Sequence, residues 1–162
     1  LSTLHTNDAP AAVSRLLDLG VPPYLLQSTL LGVMAQRLVR TLCPHCKTKH
    51  DYDDDAWDAL VAPWKAANPK GTTYINNGCL ECRMTGYMGR IGVYEMMTMS
   101  PALRERVVTA ADLAALRDAA FKDGMKPLRL SGALKIAAGL TTIDEIMKVA
   151  PPPGGDRRKL PR

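Results

Sequence analysis

Cys43-Pro44-His45-Cys46 and Cys79-Leu80-Glu81-Cys82 are the stretches that decide how this chain folds. They hold all four cysteines of the 162-residue sequence, with 32 residues between the pairs. A C-x-x-C turn aims two thiolates at one point, and two such turns supply the four soft ligands of a closed tetrahedral site. The expectation is a structural Zn2+ held by Cys43, Cys46, Cys79 and Cys82, leaving no open position for a substrate. Metal binding offsets the entropy of closing the long loop between the pairs. Two other readings stay open. A redox-active C-x-x-C needs only one pair and a βαβ surround, and two disulfides need an oxidising compartment. His45 and His50 are further ligand candidates in the same stretch.

Composition narrows the function classes. Hydrophobic residues make up 46 % of the chain, a globular value, and no apolar run approaches the ~18 residues of a membrane span. The net charge is +5, of which the tail from Pro151 to Arg162 supplies +3. The rest is close to neutral, and a zinc tetrathiolate adds about −2. Aromatics are 5 %. A basic, base-stacking nucleic-acid surface is therefore not expected, and five aspartates between the cysteine pairs oppose one directly.

Outward from the cysteines, the chain divides into four stretches. Residues 1–42 read as helical. Asn7 or Asp8 caps a first helix, with Pro10 in its first turn, a stripe of Val13, Leu16 and Leu17, and Gly20 at its end. Pro22-Pro23 open a second helix that runs to about Leu42, its stripe including Leu26, Leu30, Met34 and Leu38 or Val33. Residues 43–97 form the tetracysteine lobe, with a short helix around Trp57, Leu60 and Val61 ended by Pro63, and a strand or hairpin arm from Arg90 to Met97. Residues 98–150 form a helical subdomain. Its helices start at Ser100-Pro101, at Thr109-x-x-Asp112, near Pro127, and at the capping box Thr142-Ile-Asp-Glu145. Residues 151–162 read as a disordered basic tail.

Four motifs, in order, resemble one family. Leu1-Ser-Thr-Leu-His5-Thr-Asn-Asp8-Ala9 resembles the histidine box of secretion ATPases. Gln36-Arg-Leu-Val-Arg-Thr-Leu-Cys-Pro44 and Cys79-x-x-Cys82-x-x-x-Gly86-Tyr-x-Gly89-Arg-Ile-Gly-Val-Tyr-Glu95 resemble the two halves of their tetracysteine motif. Gly139-Leu-Thr-Thr-Ile-Asp-Glu145 with Val149-Ala-Pro-Pro resembles their C-terminal signature. The family is the type II secretion and type IV pilus assembly ATPases.

The resemblance implies an α/β parent fold of the RecA-like P-loop class, of which this chain is the C-terminal part. The stretch itself is expected to be mostly α with short β elements and the zinc lobe. It implies a homo-hexameric motor, cytoplasmic and peripheral at the bacterial inner membrane, that binds ATP and Mg2+ and acts on secretion or pilus platform proteins. His5 takes the catalytic place, with Thr3 and Thr6 as hydroxyls beside the nucleotide. An imidazole at a terminal phosphate donates a hydrogen bond or orients water. No G-x-x-x-x-G-K-[ST] phosphate loop occurs in the sequence, so the stretch alone is expected to be inactive. The contrasting expectation is a free-standing zinc module that docks a partner through its lobe. Arg37, Arg40 and Glu95 stand in motif positions and carry no assigned chemistry.

Overall fold

The computed structural model of the chain describes residues 1–108 and 112–150. The Thr109 helix start and the basic tail lie outside them. Eleven elements follow in order: α1 (Ala9–Asp18), α2 (Pro23–Thr29), β1 (Gly32–Leu42), β2 (Thr48–Lys49), α3 (Asp54–Val61), β3 (Tyr74–Ile75), β4 (Tyr87–Thr98), α4 (Pro101–Glu105), α5 (Leu113–Lys122), α6 (Leu128–Ala137) and α7 (Ile143–Val149). The described residues are a mixture of helices and two small sheets, β1–β4 and β2–β3. Their contacts group into two compact units, Leu1–Gln36 with Tyr94–Leu128, and Arg37–Val93 with the chain from Arg129 on.

The expected helix to Leu42 is corrected. α2 ends at Thr29, and residues 32–42 are an eleven-residue strand. Ser28 and Thr29 turn their hydroxyls back onto the carbonyls of Tyr24 and Leu25, at 2.8 and 2.6 Å, which favours ending a helix over extending it. The strand has a partner. Met99 N–H donates to Leu31 O at 3.0 Å and Cys43 N–H to Gly86 O at 2.9 Å, so β1 and β4 run antiparallel. Gly32 permits the approach, since a Cβ there would stand 2.9 Å from Met97 O. Leu26 of the expected stripe is in the core and Leu30 and Val33 pack against it, but Met34 and Leu38 are exposed, while Ala35, Val39 and Leu42 are buried.

The first unit is built around one apolar cluster that includes Val13, Leu26, Met97, Leu103, Val107 and Leu116. α1 presents Ala9 and Val13 to it, with Leu16 and Leu17 packed against it. Asp8 caps this helix by accepting from Ala11 N–H at 2.8 Å, and Gly20, at φ +85°, lets the chain turn out of it. Ser100 caps α4 and Asp112 caps α5, as the serine–proline and aspartate signals predict.

In the second unit β2 and β3 pair antiparallel, Thr48 opposite Ile75 and Lys49 opposite Tyr74. α3 buries Trp57, Leu60 and Val61 against α7. α6 and α7 cross closely at Gly132, where a Cβ would meet Ile146 Cγ2 at 2.6 Å. Thr142 caps α7 by accepting from Glu145 N–H. The reciprocal half of the expected capping box is missing, because the Glu145 carboxylate is engaged elsewhere. Arg129 is buried. Its Nε donates to Ala150 O at 3.2 Å and its Nη1 to Ala59 O at 3.0 Å, so one guanidinium serves the carbonyl ends of α7 and α3. Burial lowers its pKa.

Candidate metal centre and histidine segment

The four cysteine sulfurs lie within 4.8 Å of one another in the second unit. Cys43 follows directly on β1. Lys47 N–H bonds back to Cys43 O at 3.1 Å, closing the first knuckle. The second knuckle is closed by Met84 N–H to Cys79 O at 2.8 Å. The chain leaves it through Arg83, Met84 and Gly86 at positive φ. At Gly86 only glycine fits, since a Cβ would stand 2.4 Å from Asn76 Cβ.

The geometry fits a tetrahedral ion. Zn–S bonds of about 2.3 Å place the sulfurs about 3.8 Å apart. The separations are 3.9 Å for Cys43–Cys79, 3.8 Å for Cys46–Cys82 and 3.7 Å for Cys79–Cys82. All four are free thiols, so the disulfide reading does not describe this fold. Backbone N–H groups also aim at sulfur: Gly78 at Cys46 from 3.3 Å, and Cys79 and Gly86 at Cys82 from 3.2 Å each. Burial opposes ionisation of Cys82, yet these donors and the neighbouring sulfurs hold its thiol below the usual range. Burial raises Cys46. A dication is the species that lets all four ionise together.

Around the cluster, polar ties fix the lobe. Lys47 Nζ donates to Gly139 O at 2.8 Å and lies 4.5 Å from the Tyr74 ring centroid. Tyr87 and Thr142 share a hydrogen bond of 3.0 Å. Arg40 pairs with Glu145 at 2.7 Å and lies over the Tyr87 ring, 4.0 Å from its centroid. Arg40 also gives its backbone N–H to the second Glu145 oxygen at 3.1 Å. These bonds to Arg40, with a further one from Lys148, hold the Glu145 carboxyl down at about 2 against the opposing effect of burial. Arg40 is thus committed to a structural ion pair.

Thr3, His5 and Thr6 belong to the first unit, in the stretch before α1 that is neither helix nor strand. Thr3 and His5 are exposed, and Thr6 is half-buried with its hydroxyl donating to Asp8 O at 3.2 Å. Asp8 is held from the other side by Arg117, whose Nη2 and Nε reach one carboxylate oxygen at 2.6 and 3.0 Å. Glu95 is buried at 3 % exposure, and its two oxygens accept from Ala9 N–H at 2.8 Å and Leu128 N–H at 3.2 Å. Burial raises its pKa, and the two N–H groups pull the other way only in part. Sequence reasoning left Glu95 without a role and did not single out Arg117 or Arg129. The signal for Glu95 was its position in the Gly89-to-Glu95 motif, but its partners are 86 and 33 residues away.

Among the described residues no helix is long and apolar enough to cross a membrane. The type II/IV secretion system protein family matches residues 1–148. The chain is 50 % identical over 151 residues to the type IV pilus assembly ATPase TfpB of Acinetobacter baylyi, a match covering 93 % of this chain and 26 % of that protein. It is 44 % identical over 149 residues to the type IV pilus assembly ATPase PilB of Myxococcus xanthus, covering 91 % and 26 %. It is 40 % identical over 149 residues to the type II secretion system ATPase E of Vibrio cholerae, covering 92 % and 29 %. The chain spans about a quarter of the length of these curated relatives. With the four-sulfur cluster, the histidine segment and the family match all falling within the same 148 residues, the chain belongs to the type II/IV secretion system protein family.

Proposed function

We propose that this chain is the C-terminal portion of a hexameric ATPase that drives type II secretion or type IV pilus assembly. The observation that carries the reading is the family match over residues 1–148, with relatives of 40 to 50 % identity described as ATPases of those two systems. The motor works at the cytoplasmic side of the bacterial inner membrane on platform proteins. Residues 1–42 complete the nucleotide-binding domain, residues 43–97 form the zinc lobe, and residues 98–150 form the helical subdomain.

In this reading His5 faces the terminal phosphate of Mg-ATP, with Thr3 and Thr6 beside it. An imidazole there senses the phosphate or orders the attacking water, while positioning and charge stabilisation supply most of the rate. Cys43, Cys46, Cys79 and Cys82 hold a structural Zn2+, which supplies cross-linking and no catalysis. The stretch taken alone is inactive for want of a phosphate loop.

The test uses the full-length protein. His5→Ala is expected to lower ATP turnover about 100-fold, the low end of what positioned proton-transfer groups contribute, with one zinc per chain retained. Unchanged turnover removes His5 from the mechanism. Metal analysis showing no zinc in folded protein removes the tetrathiolate.

A further inference from the structure

The last residues of the histidine segment are held by groups that the motor reading does not use. Asp8 and Ala9 follow His5 by three and four residues. Ala9 is fully buried, and its N–H is directed at Glu95 Oε1 at 2.8 Å. That N–H belongs to the first residue of α1, one of the donors left without an intrahelical acceptor. The other Glu95 oxygen takes the corresponding N–H of Leu128, the first residue of α6. A carboxylate offers two acceptor oxygens, and both are used. Asp8 is fixed separately, by capping Ala11 through one oxygen and by the double hydrogen bond from Arg117 to the other. Thr6 then closes onto Asp8 O. The backbone from Thr6 to Ala9 is therefore pinned from β4 by Glu95 and from α5 by Arg117.

We propose that Glu95, with Arg117, is a positioning residue for His5: it fixes the chain at Asp8–Ala9 and so sets where the imidazole stands at the nucleotide. The proposal rests on the assignment of His5 to the nucleotide. It joins two motifs far apart in sequence, the histidine segment and the Gly89-to-Glu95 stretch, through one hydrogen bond inside a single unit. A glutamate suits the position for a chemical reason. A glutamine keeps the shape, but turns one acceptor into a donor facing an N–H. Aspartate is one methylene shorter, and the two N–H groups it would have to reach come from different elements.

A double-mutant cycle in the full-length protein tests this, with ATP turnover as the readout and zinc content and thermal unfolding followed for each variant. Glu95→Gln is expected to lower kcat about tenfold in the wild-type background, well within the ~100-fold that a misplacement of ~1 Å costs. In the His5→Ala background it is expected to change kcat less than about twofold, because residues that act as one unit are not additive. An equal loss in both backgrounds overturns the proposal and leaves Glu95 a helix cap that acts on stability alone. Wild-type kcat in folded Glu95→Gln also overturns it. If Glu95→Gln fails to fold, Arg117→Gln loosens the same backbone from the Asp8 side, and the same non-additivity with His5→Ala is required of it. If His5→Ala itself turns over normally, the assignment of His5 falls and the positioning role falls with it. A His5 effect with additive Glu95 and Arg117 effects refutes only the positioning role.

Discussion

The two units solve the same problem with opposite charges. In the first unit a buried carboxylate, Glu95, meets the N–H groups that begin α1 and α6. In the second a buried guanidinium, Arg129, meets carbonyls at the ends of α3 and α7. Helix N-termini carry partial positive charge and C-termini partial negative charge, so each side chain has the sign its surroundings require. The difference lies in what surrounds them. The first unit closes over one apolar cluster. The second adds to its apolar residues four sulfurs and a set of polar ties, Arg40–Glu145, Lys47–Gly139 and Tyr87–Thr142. Apolar packing is non-directional and needs no ligand. A thiolate cluster and an ion pair respond to metal and to pH.

Metal removal should separate the units most sharply. Chelation, or Cys82→Ser, is expected to abolish ordered amide signals through the second unit while those of Val13, Leu103 and Leu116 persist, because structural zinc binding is itself folding free energy of about 10 kcal/mol or more in small domains. Simultaneous loss of both sets of signals would break the comparison. Leu116→Ala reverses the test. Leu116 is 1 % exposed in the apolar cluster, and its truncation should cost about 3 kcal/mol, read by denaturant unfolding, without changing zinc stoichiometry. Arg129→Met should cost about 2 kcal/mol, since it orphans two buried carbonyls but also removes a buried cation.

The smallest effect is a pH dependence. The Glu145 carboxyl is held near 2 by Arg40, so its ionised form is favoured in the folded state relative to the unfolded one. Its contribution is fully present above pH ~4.5 and lost as pH falls toward ~2. Arg40 is about half exposed, so solvent screening limits the amount to about 1 kcal/mol. Glu145→Gln should flatten the acid limb of the stability profile of the second unit. An unchanged limb would assign that acid sensitivity to other groups. Glu95 has the opposite sign. Its raised pKa makes its ionised form costly, so this group's contribution to stability declines as pH rises from its unfolded value through its folded one.

Legibility in the sequence followed the range of the interactions. The cysteine pairs were readable because a C-x-x-C knuckle is a local geometry, and the sulfurs stand at tetrahedral separations. The starts of α1, α4 and α7 were readable for the same reason, since Asp8, Ser100 and Thr142 cap N–H groups three residues on. The strand β1 was not. Leucines and methionine at spacings of four mimic a helical stripe from Leu26 to Leu38, and nothing local opposes it strongly. The site divides in the same way: the gathering of the four cysteines is legible in the sequence, and the hydrogen bonds that hold Asp8 and Ala9 are hidden.

The sequence by itself determined the four-cysteine set, the helix caps and the family, each carried by residues within a few positions of one another or by motifs in fixed order. Only the tertiary structure decided that residues 32–42 pair with β4, that Arg40 is spent on Glu145, and that Glu95 and Arg117 hold the start of α1. The side-chain pairs among these join groups 86 to 109 residues apart, where neither charge nor periodicity names the partner and only the closed chain brings donor to acceptor.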